Sequence, residues 1–461
     1  MPAPAAHPLM PPSRVAVVGG GVGGLAAALR LQAAGASVTL HEASAGLGGA
    51  IRTERPGPWL IEQGASVLAD LPAEVEAMLE SAGLLADSIP IQPVGSRRYL
   101  VHRGRPVVVP SSPKEMLASP LLSLAGRVRM LKEPFIPRGA SPEEEAVAAF
   151  ARRRFGDEVA ARFFEPLVSG TSGADPEQVL VRFAMPLLAA QEQRAGSILK
   201  ARLRAARQRG ASGQRVAPPP RSWDGGLRTL VDRMANALNG TQHLGSPVVG
   251  VEPRVDGVEL TDATGRTTRY DAAVLALPAV ALGAIRFPAG VQQRVTPIAS
   301  MPHASPITVA LGYRRGQVAH PLDGYGLLAP ASERRRVLSV QFTSSLFPGR
   351  APADHVLLTA TLGGARQPAQ LALRDDELVA IAVAEVGGLL GVAGEPAFAI
   401  VQRWPAALPL AVSGHQARLA AASQVEAEER RLALTGAWRT GASLGEVMLG
   451  GLRAADRVLG R

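Results

Sequence analysis

Three features of the first 42 residues predict an α/β fold built on a parallel sheet. An apolar run, RVAVV, enters the glycine cluster GGGVGG. A helical run, LAAALRLQAA, follows, and a second apolar run, SVTLHE, ends at Glu42. Strand, tight turn, helix and strand within about 30 residues make the unit of the Rossmann-type dinucleotide-binding fold.

Each element has its own justification. RVAVV is apolar throughout, as in a parallel strand buried on both faces. Gly19, Gly21 and Gly24 form G-x-G-x-x-G, with Gly23 between the last two. Gly19 permits the turn, Gly21 lets the backbone approach a pyrophosphate, and Gly24 lets helix and strand pack closely. The helix, from Leu25 to about Ala34, turns its N-terminal amides and positive dipole end to the phosphates. Gly35 ends it. Glu42 lies 18 residues beyond Gly24, where a carboxylate accepts hydrogen bonds from a ribose.

After Glu42, the stretch from Ala43, ASAGLGGAIRT, brings a second glycine pair, Gly48 and Gly49. Residues 111 to 205 carry mostly helical periodicity. In SPEEEAVAAFARRRFG, Ser141 is expected to cap a helix, Pro142 to occupy its first turn and three glutamates to meet the positive dipole end. RQRGASGQRVAPPPRSW from Arg207 reads as a mobile loop. From about 291 to 402, strand-like runs such as ITVALGY and VLLTATL alternate, consistent with a second sheet. No internal repeat is evident.

The chain has no cysteine, which excludes disulfides, thiolate metal sites and cysteine nucleophiles. Redox chemistry therefore needs a borrowed cofactor. The eight histidines are scattered, without H-E-x-x-H or another ligand spacing, and no metal is expected. The net charge of +10 comes from 49 basic and 39 acidic residues, and only Lys114, Lys132 and Lys200 among the basic ones are lysines. Such a balance suits an acidic lipid or an anionic substrate, and an arginine-rich composition habit accounts for it equally well. Aromatics at 4% and the lack of a recognised module argue against nucleic acid. MPAPAAHPLMPPS reads as a disordered tail, and no apolar run reaches the ~18 residues that span a bilayer. A cytoplasmic chain, bound at most to the cytoplasmic face of a membrane, is expected.

Further segments carry a resemblance. The glycine pair after Glu42 resembles the extension that follows the ribose carboxylate in flavoproteins of the amine oxidase superfamily, which points to FAD. WLIEQGASVLAD from Trp59, with Gly64, is similar to an E-x-G segment beside a flavin. RFGDEVAARFFEPLVSGTSGADPEQVLVRFAMPLL from Arg154, SWDGGLRTLVDRMANAL from Ser222, LDGYGLLAP from Leu322 and RWPAALPLAVSGH from Arg403 resemble segments of the oxygen-dependent, FAD-containing protoporphyrinogen oxidase family. So does the closing stretch from Leu432. The sequence departs from that pattern at Ala65, Gln341, Ala411, Gly441-Ala442-Ser443 and Glu446-Val447.

The resemblance implies a flavoenzyme of p-hydroxybenzoate-hydroxylase-like topology. An FAD-binding domain would be assembled from 13–88, 221–290 and 403–461, a sheet-based substrate domain from 89–110 and 291–402, and a helical, membrane-facing domain from 111–220. It implies removal of six electrons from protoporphyrinogen IX in three flavin cycles of haem biosynthesis, with oxygen or another acceptor. The flavin itself does the chemistry, with no catalytic side chain. Gly19, Gly21, Gly23, Gly24, Glu42, Ala43, Gly48 and Gly49 would hold the ADP half, with Val248 near adenine. Gly64, Trp404, Gly441, Ala442, Ser443 and Leu444 would flank the flavin, and Leu328 and Gln341 would contact substrate. Arg97 or Arg98 is a candidate for pairing a propionate, and His415 reads as structural. Amine oxidases of the superfamily hold a lysine near the flavin in the second half of the chain; none follows Lys200 here. Coproporphyrinogen III oxidation, amine oxidation or carotenoid-type desaturation, and flavin binding without turnover stay open, as does monomer against homodimer.

Overall fold

A computed structural model describes residues 13–139, 141, 143–212 and 218–461. Five parallel strands form the first sheet, in the order Leu432–Thr435, Ala272–Ala276, Arg14–Val18, Ser37–His41, Thr241–His243. Start, middle and end of the chain thus meet side by side. Val15, Val17, Leu40 and Val274 face one core beneath the helices Val22–Ala33 and Leu444–Val458. Ala16, Val18, Leu275 and Leu434 face another, beneath an antiparallel meander of Val248–Arg254, Gly257–Asp262 and Thr267–Tyr270. Burial on both faces is why RVAVV is apolar at every position after Arg14.

Glycine sets how closely the helices approach. A Cβ on Gly24 would stand 1.8 Å from the Gly19 carbonyl oxygen, and one on Gly451 2.0 Å from that of Gly23. The closing helix therefore packs backbone against backbone on the first.

The second sheet has seven strands in the order Phe398–Arg403, Pro306–Arg314, His355–Gly363, Ser339–Gln341, Gly326–Leu328, Tyr99–His102, Arg105–Val108. Its pairings are antiparallel except that of Gly326–Leu328 with Tyr99–His102. Ile307, Val309, Leu327, Val340, Leu358 and Leu362 are buried on one face under the helix Asp375–Leu390. The other face presents Thr308, Leu328, Ser339, Gln341, Thr359 and Thr361, all half-buried. Its contacts run to the first domain, through Thr308 Oγ1 donating to the Gln63 carbonyl at 2.9 Å.

Residues between the two halves form a helical block that includes Val147–Phe155, Glu165–Ser172, Pro186–Ala195 and Ile198–Ser212. The helix expected from Ser141 begins instead at Val147. Ala146 is bridged to Leu180, and the Glu145 carbonyl accepts from the Val181 N–H, while Glu143–Glu144 form a turn in which the Glu144 N–H donates to the Ser141 carbonyl at 3.3 Å. The glutamates meet partners from elsewhere: Glu143 pairs with Arg182 at 2.9 Å, Glu145 with Arg153 at 2.7 Å, and Glu144 accepts from the Gly414 N–H at 3.3 Å. Pro142 lies outside the described residues, as do residues 1–12 of the expected tail. The loop expected from Arg207 is helical as far as Ser212, because the arginine- and alanine-rich run before it favours helix; 213–217 lie outside the described residues. Arg154, fully buried, joins Glu192 at 3.1 Å and Glu133 at 3.4 Å, and Glu133 also accepts the Ile198 N–H at the start of the last helix.

Candidate functional site

The three fingerprint glycines sit in three different environments. Gly19 has φ +106° and donates its N–H to the His41 carbonyl at 2.8 Å, closing the strand-to-helix turn. Gly24 is pressed against Gly19. Gly21 has φ −71° and ψ 173°, values any residue adopts, and a Cβ there would meet nothing nearer than Gly49 Cα at 3.9 Å. Its lack of a side chain opens space at the helix N-terminus without relieving strain. Gly23 faces the closing helix, where a Cβ would touch Val447 at 3.0 Å. Gly48 donates to the Gly20 carbonyl at 2.9 Å, so the Gly48–Gly49 pair folds over the fingerprint.

Glu42 stands at the end of the second strand. One carboxylate oxygen accepts the Gly20 N–H at 2.6 Å; the other accepts the Ser44 N–H and hydroxyl at 2.8 and 2.6 Å. Two carboxylate oxygens offer about four acceptor positions, so capacity remains for a ribose hydroxyl. Ala43 beside it is exposed. The Ser246 N–H donates to the Glu42 carbonyl at 2.9 Å, which brings Val248 to the same end of the cleft. Behind Glu42, His41 Nε2 lies 3.0 Å from the Tyr270 hydroxyl, and burial pushes its pKa down to about 4.

Further along, the Glu62-Gln63-Gly64 segment crosses the cleft. Glu62 is buried, which raises its pKa, and it accepts from Thr53 Oγ1 at 2.6 Å and the Leu227 N–H at 2.7 Å. A Cβ on Gly64 would lie 2.2 Å from the Ala50 carbonyl oxygen and 2.8 Å from Trp404 Cζ2. Trp404 donates its indole N–H to the Gln63 carbonyl at 2.8 Å, and the Arg52 guanidinium lies 5.7 Å from its ring. Gly441, with φ +122°, leads through Ala442 to Ser443, the N-cap of the closing helix, whose hydroxyl accepts the Glu446 N–H at 3.2 Å. That helix N-terminus at Leu444 abuts the stretch after Gly64: a Cβ on Gly445 would lie 3.0 Å from the Asp70 carbonyl oxygen.

The second sheet's half-buried face closes the cleft from the other side. Leu328 packs on the helix Glu165–Ser172, where a Cβ on Gly170 would stand 2.6 Å from its Cδ2. Gln341 donates from Nε2 to Ser66 Oγ at 3.2 Å. Arg97 is paired with Asp323, which also accepts from the Tyr99 hydroxyl at 2.6 Å. Arg98 has no ion pair among the described residues, and its guanidinium lies 4.7 Å from the Tyr325 ring centroid. His415 lies apart, buried edge-on against Phe183 with ring centroids 4.5 Å apart; burial lowers its pKa to about 4. Gly20, Ser66, Thr308 and Tyr325 belong to the cleft and escaped sequence reasoning. Only Gly20, the middle of a glycine triplet, carried a local signal.

The open space at Gly21, the residual acceptor capacity of Glu42 and the wall of Gly64 and Trp404 fit a dinucleotide with an attached planar ring. Among the described residues, no group of three metal-ligating side chains converges, and no helix is long and apolar enough to cross a membrane.

Comparison with known proteins gives the following. Residues 22–459 match the family described as flavin containing amine oxidoreductase. The chain is 30% identical over 477 residues to protoporphyrinogen oxidase 2 of Arabidopsis thaliana, covering 97% of this chain and 94% of the relative. It is 32% identical over 484 residues to coproporphyrinogen III oxidase of Propionibacterium freudenreichii subsp. freudenreichii, covering 96% and 90%. A crystal structure from Exiguobacterium sp. 255-15 shares the fold, with a TM-score of 0.79, 22% identity and coverage of 97% and 98%.

Proposed function

The chain belongs to the flavin containing amine oxidoreductase family and is an FAD-dependent oxidoreductase, and on that premise we propose that it oxidises protoporphyrinogen IX to protoporphyrin IX. The observation that carries this reading is identity of about one residue in three, over nearly the whole chain, with porphyrinogen oxidases. In this reading electrons leave the substrate in three pairs and oxygen is reduced to hydrogen peroxide.

Bound flavin supplies the hydride-accepting ring and its reoxidation. The chain supplies position and exclusion of water. Gly19, Gly21, Gly23 and Gly24 seat the pyrophosphate at the helix N-terminus, Glu42 with Ala43 takes the ribose, and Gly48, Gly49 and Val248 enclose the ADP half. Gly64 and Trp404 would wall the ring. The Gly441–Leu444 turn would offer it the amides of a helix N-terminus, which favour negative charge. Leu328 and Gln341 lie on the sheet face that would cover the macrocycle. Of the two candidate arginines, Arg98 is the one whose guanidinium is not already engaged by a carboxylate, and a bidentate pair with a propionate suits it.

Sheet membership supports the division into three domains: Tyr99–Val108 pairs with strands between 306 and 403, while the five-stranded sheet draws on residues before 44, from 241 to 276 and after 431. The helical block exposes Leu124, Val128, Leu131 and Phe135 at helical spacing beside Lys132 and Lys200. That pattern supports peripheral attachment to an anionic membrane surface, and the cytoplasmic face is the side we propose. The test of the main reading is to add oxygen to enzyme and protoporphyrinogen IX held anaerobically and follow porphyrin fluorescence. Formation well above the enzyme-free rate is expected, and a flavin-loaded protein that gives none refutes the reading.

A further inference from the structure

One cation from the second half of the chain is sunk into the first. Arg350 lies in the loop between the strands Ser339–Gln341 and His355–Gly363 and is 1% exposed. Its carbonyl accepts the Leu60 N–H at 3.1 Å, and its Nη2 donates to Ser222 Oγ at 2.8 Å and to the Trp223 carbonyl at 3.1 Å. Nε and Nη1 are buried and have no hydrogen-bond partner among the described residues. Burial lowers the Arg350 pKa; of the surrounding charges Glu62 acts on it most, in its support, followed by Arg55 against it and Asp224 for it. Glu62, from the segment that crosses the cleft, is 4% exposed. Burial raises its pKa, and the Thr53 hydroxyl, the Leu227 N–H and the Arg350 charge oppose that rise. A Cβ on Gly226 would stand 2.6 Å from Glu62 Oε1, so the turn before the helix Arg228–Asn236 is shaped around this carboxylate. The other charges on the packed elements are turned away, Arg228 to Asp232 and the Leu47 carbonyl, Glu54 to solvent.

A buried cation with unused donors is costly unless a negative charge faces it, and a buried carboxylate is costly without a positive one. Arg350 and Glu62 answer both needs from opposite halves of the chain, acting on each other as charges rather than through a hydrogen bond. We propose that Arg350 is a positioning residue for the cofactor: it holds the Glu62 carboxylate charged, and through that charge fixes the Glu62–Gly64 segment against Thr53 and the start of the helix Arg228–Asn236, in the arrangement that receives the flavin. This inference rests on flavin binding and not on the choice of substrate, so its test needs no porphyrinogen.

The experiment titrates FAD into apo-protein across neutral pH and down to mildly acidic pH, followed by flavin fluorescence, for the wild type, Arg350→Met, Arg350→Lys and Glu62→Gln. Protonating Glu62 removes the charge that accepts from Thr53 and Leu227, so FAD affinity falls as pH falls. Without the facing cation the carboxyl protonates more readily, and in Arg350→Met the fall should lie about one pH unit higher than in the wild type, with FAD bound about 10-fold more weakly on the acid side. Arg350→Lys keeps the charge and should bring the fall back toward its wild-type position. Glu62→Gln does not titrate and should lose this part of the pH dependence. A fall at the same pH in Arg350→Met and the wild type, or none in either, overturns the proposal even where FAD is weakened throughout, because an arginine that only fills space between the two halves acts equally at every pH. If Arg350→Met does not fold, Glu62→Gln decides: a pH dependence identical to that of the wild type overturns the proposal.

Discussion

Replacing Gly21 with alanine separates a cofactor effect from a folding effect. The backbone at Gly21 is extended, with φ −71° and ψ 173°, so alanine adopts it without strain. The added methyl would meet only Gly49 Cα at 3.9 Å, an ordinary contact. As the residue that caps the helix Val22–Ala33, alanine is worse than glycine by up to about 1 kcal/mol, and a less flexible unfolded chain returns about 0.4–1 kcal/mol. The apo-protein should therefore keep its stability to within about 1 kcal/mol. The same methyl occupies the space through which a pyrophosphate would reach the helix N-terminal amides. Losing one or two charge-assisted hydrogen bonds costs about 1.5–3 kcal/mol each, which weakens FAD at least ~10-fold and up to about 10⁴-fold. The assay pairs apo-protein thermal unfolding with an FAD titration followed by flavin fluorescence. Tm near that of the wild type together with severely weakened FAD is the expected pair. Wild-type affinity would show that the phosphates do not approach through Gly21, and unfolding of the apo-protein would show that its environment is tighter than 3.9 Å implies.

Glu42→Ala should weaken FAD by about 1–3 kcal/mol through lost ribose hydrogen bonds, and unchanged affinity in the same titration would mean the ribose is read elsewhere. Arg98→Ala should raise KM for protoporphyrinogen by ~10-fold or more, whereas Arg97→Ala, which loses an exposed pair with Asp323, should change it less; the opposite order would reassign the propionate partner. His41 and His415 are neutral in the folded protein, with pKa values near 4 against about 6.5 unfolded. The unfolded chain therefore binds protons first as pH falls below 6.5, and stability declines until about pH 4. At pH 5 the loss is on the order of 2 kcal/mol per ring, so His415→Phe should lose less stability than the wild type between pH 7 and 5 in chemical denaturation, and parallel curves would refute the assignment. The wild type should co-sediment with anionic lipid vesicles at low salt and be released by the double change Leu124→Ser and Phe135→Ser; a wild type left in the supernatant refutes the membrane surface.

What could be read from the sequence was what is encoded locally. The first strand, turn and helix are legible because burial on both faces demands unbroken apolar residues and because each glycine answers a constraint a few residues away. The strand Thr241–His243 was not foreseen: it is short and polar, and it pairs at the sheet edge only because Ser37–His41 is there to receive it. The helix expected from Ser141 failed for a related reason. Its local signals were sound, but a turn at Glu143–Glu144 and the bridge of Ala146 to Leu180 take the place of the first helical turns. Gln341 was singled out in the sequence, but Ser66, which gives it meaning, lies 275 residues away and has no motif of its own.

The segment from Glu62 to Ser66 ties these observations together. Glu62 is anchored inward by Thr53 and Leu227. The Gln63 carbonyl accepts from both Thr308 and the Trp404 indole, and Ser66 accepts from Gln341. Three residues of the second sheet and its following turn therefore converge on this five-residue segment. A shift of this segment cannot be confined to one partner: displacing it from the flavin side strains contacts to the substrate-facing sheet, and displacing it from the sheet side moves Gly64 against Trp404. With only 2.8 Å between Trp404 Cζ2 and the position a Gly64 Cβ would take, Trp404 leaves no room for a side chain there. On the reading proposed above, cofactor and substrate sites would be linked through this short segment, so substitutions within it should alter flavin affinity and substrate KM together, whereas those at Gly21 or Arg98 should act on one alone.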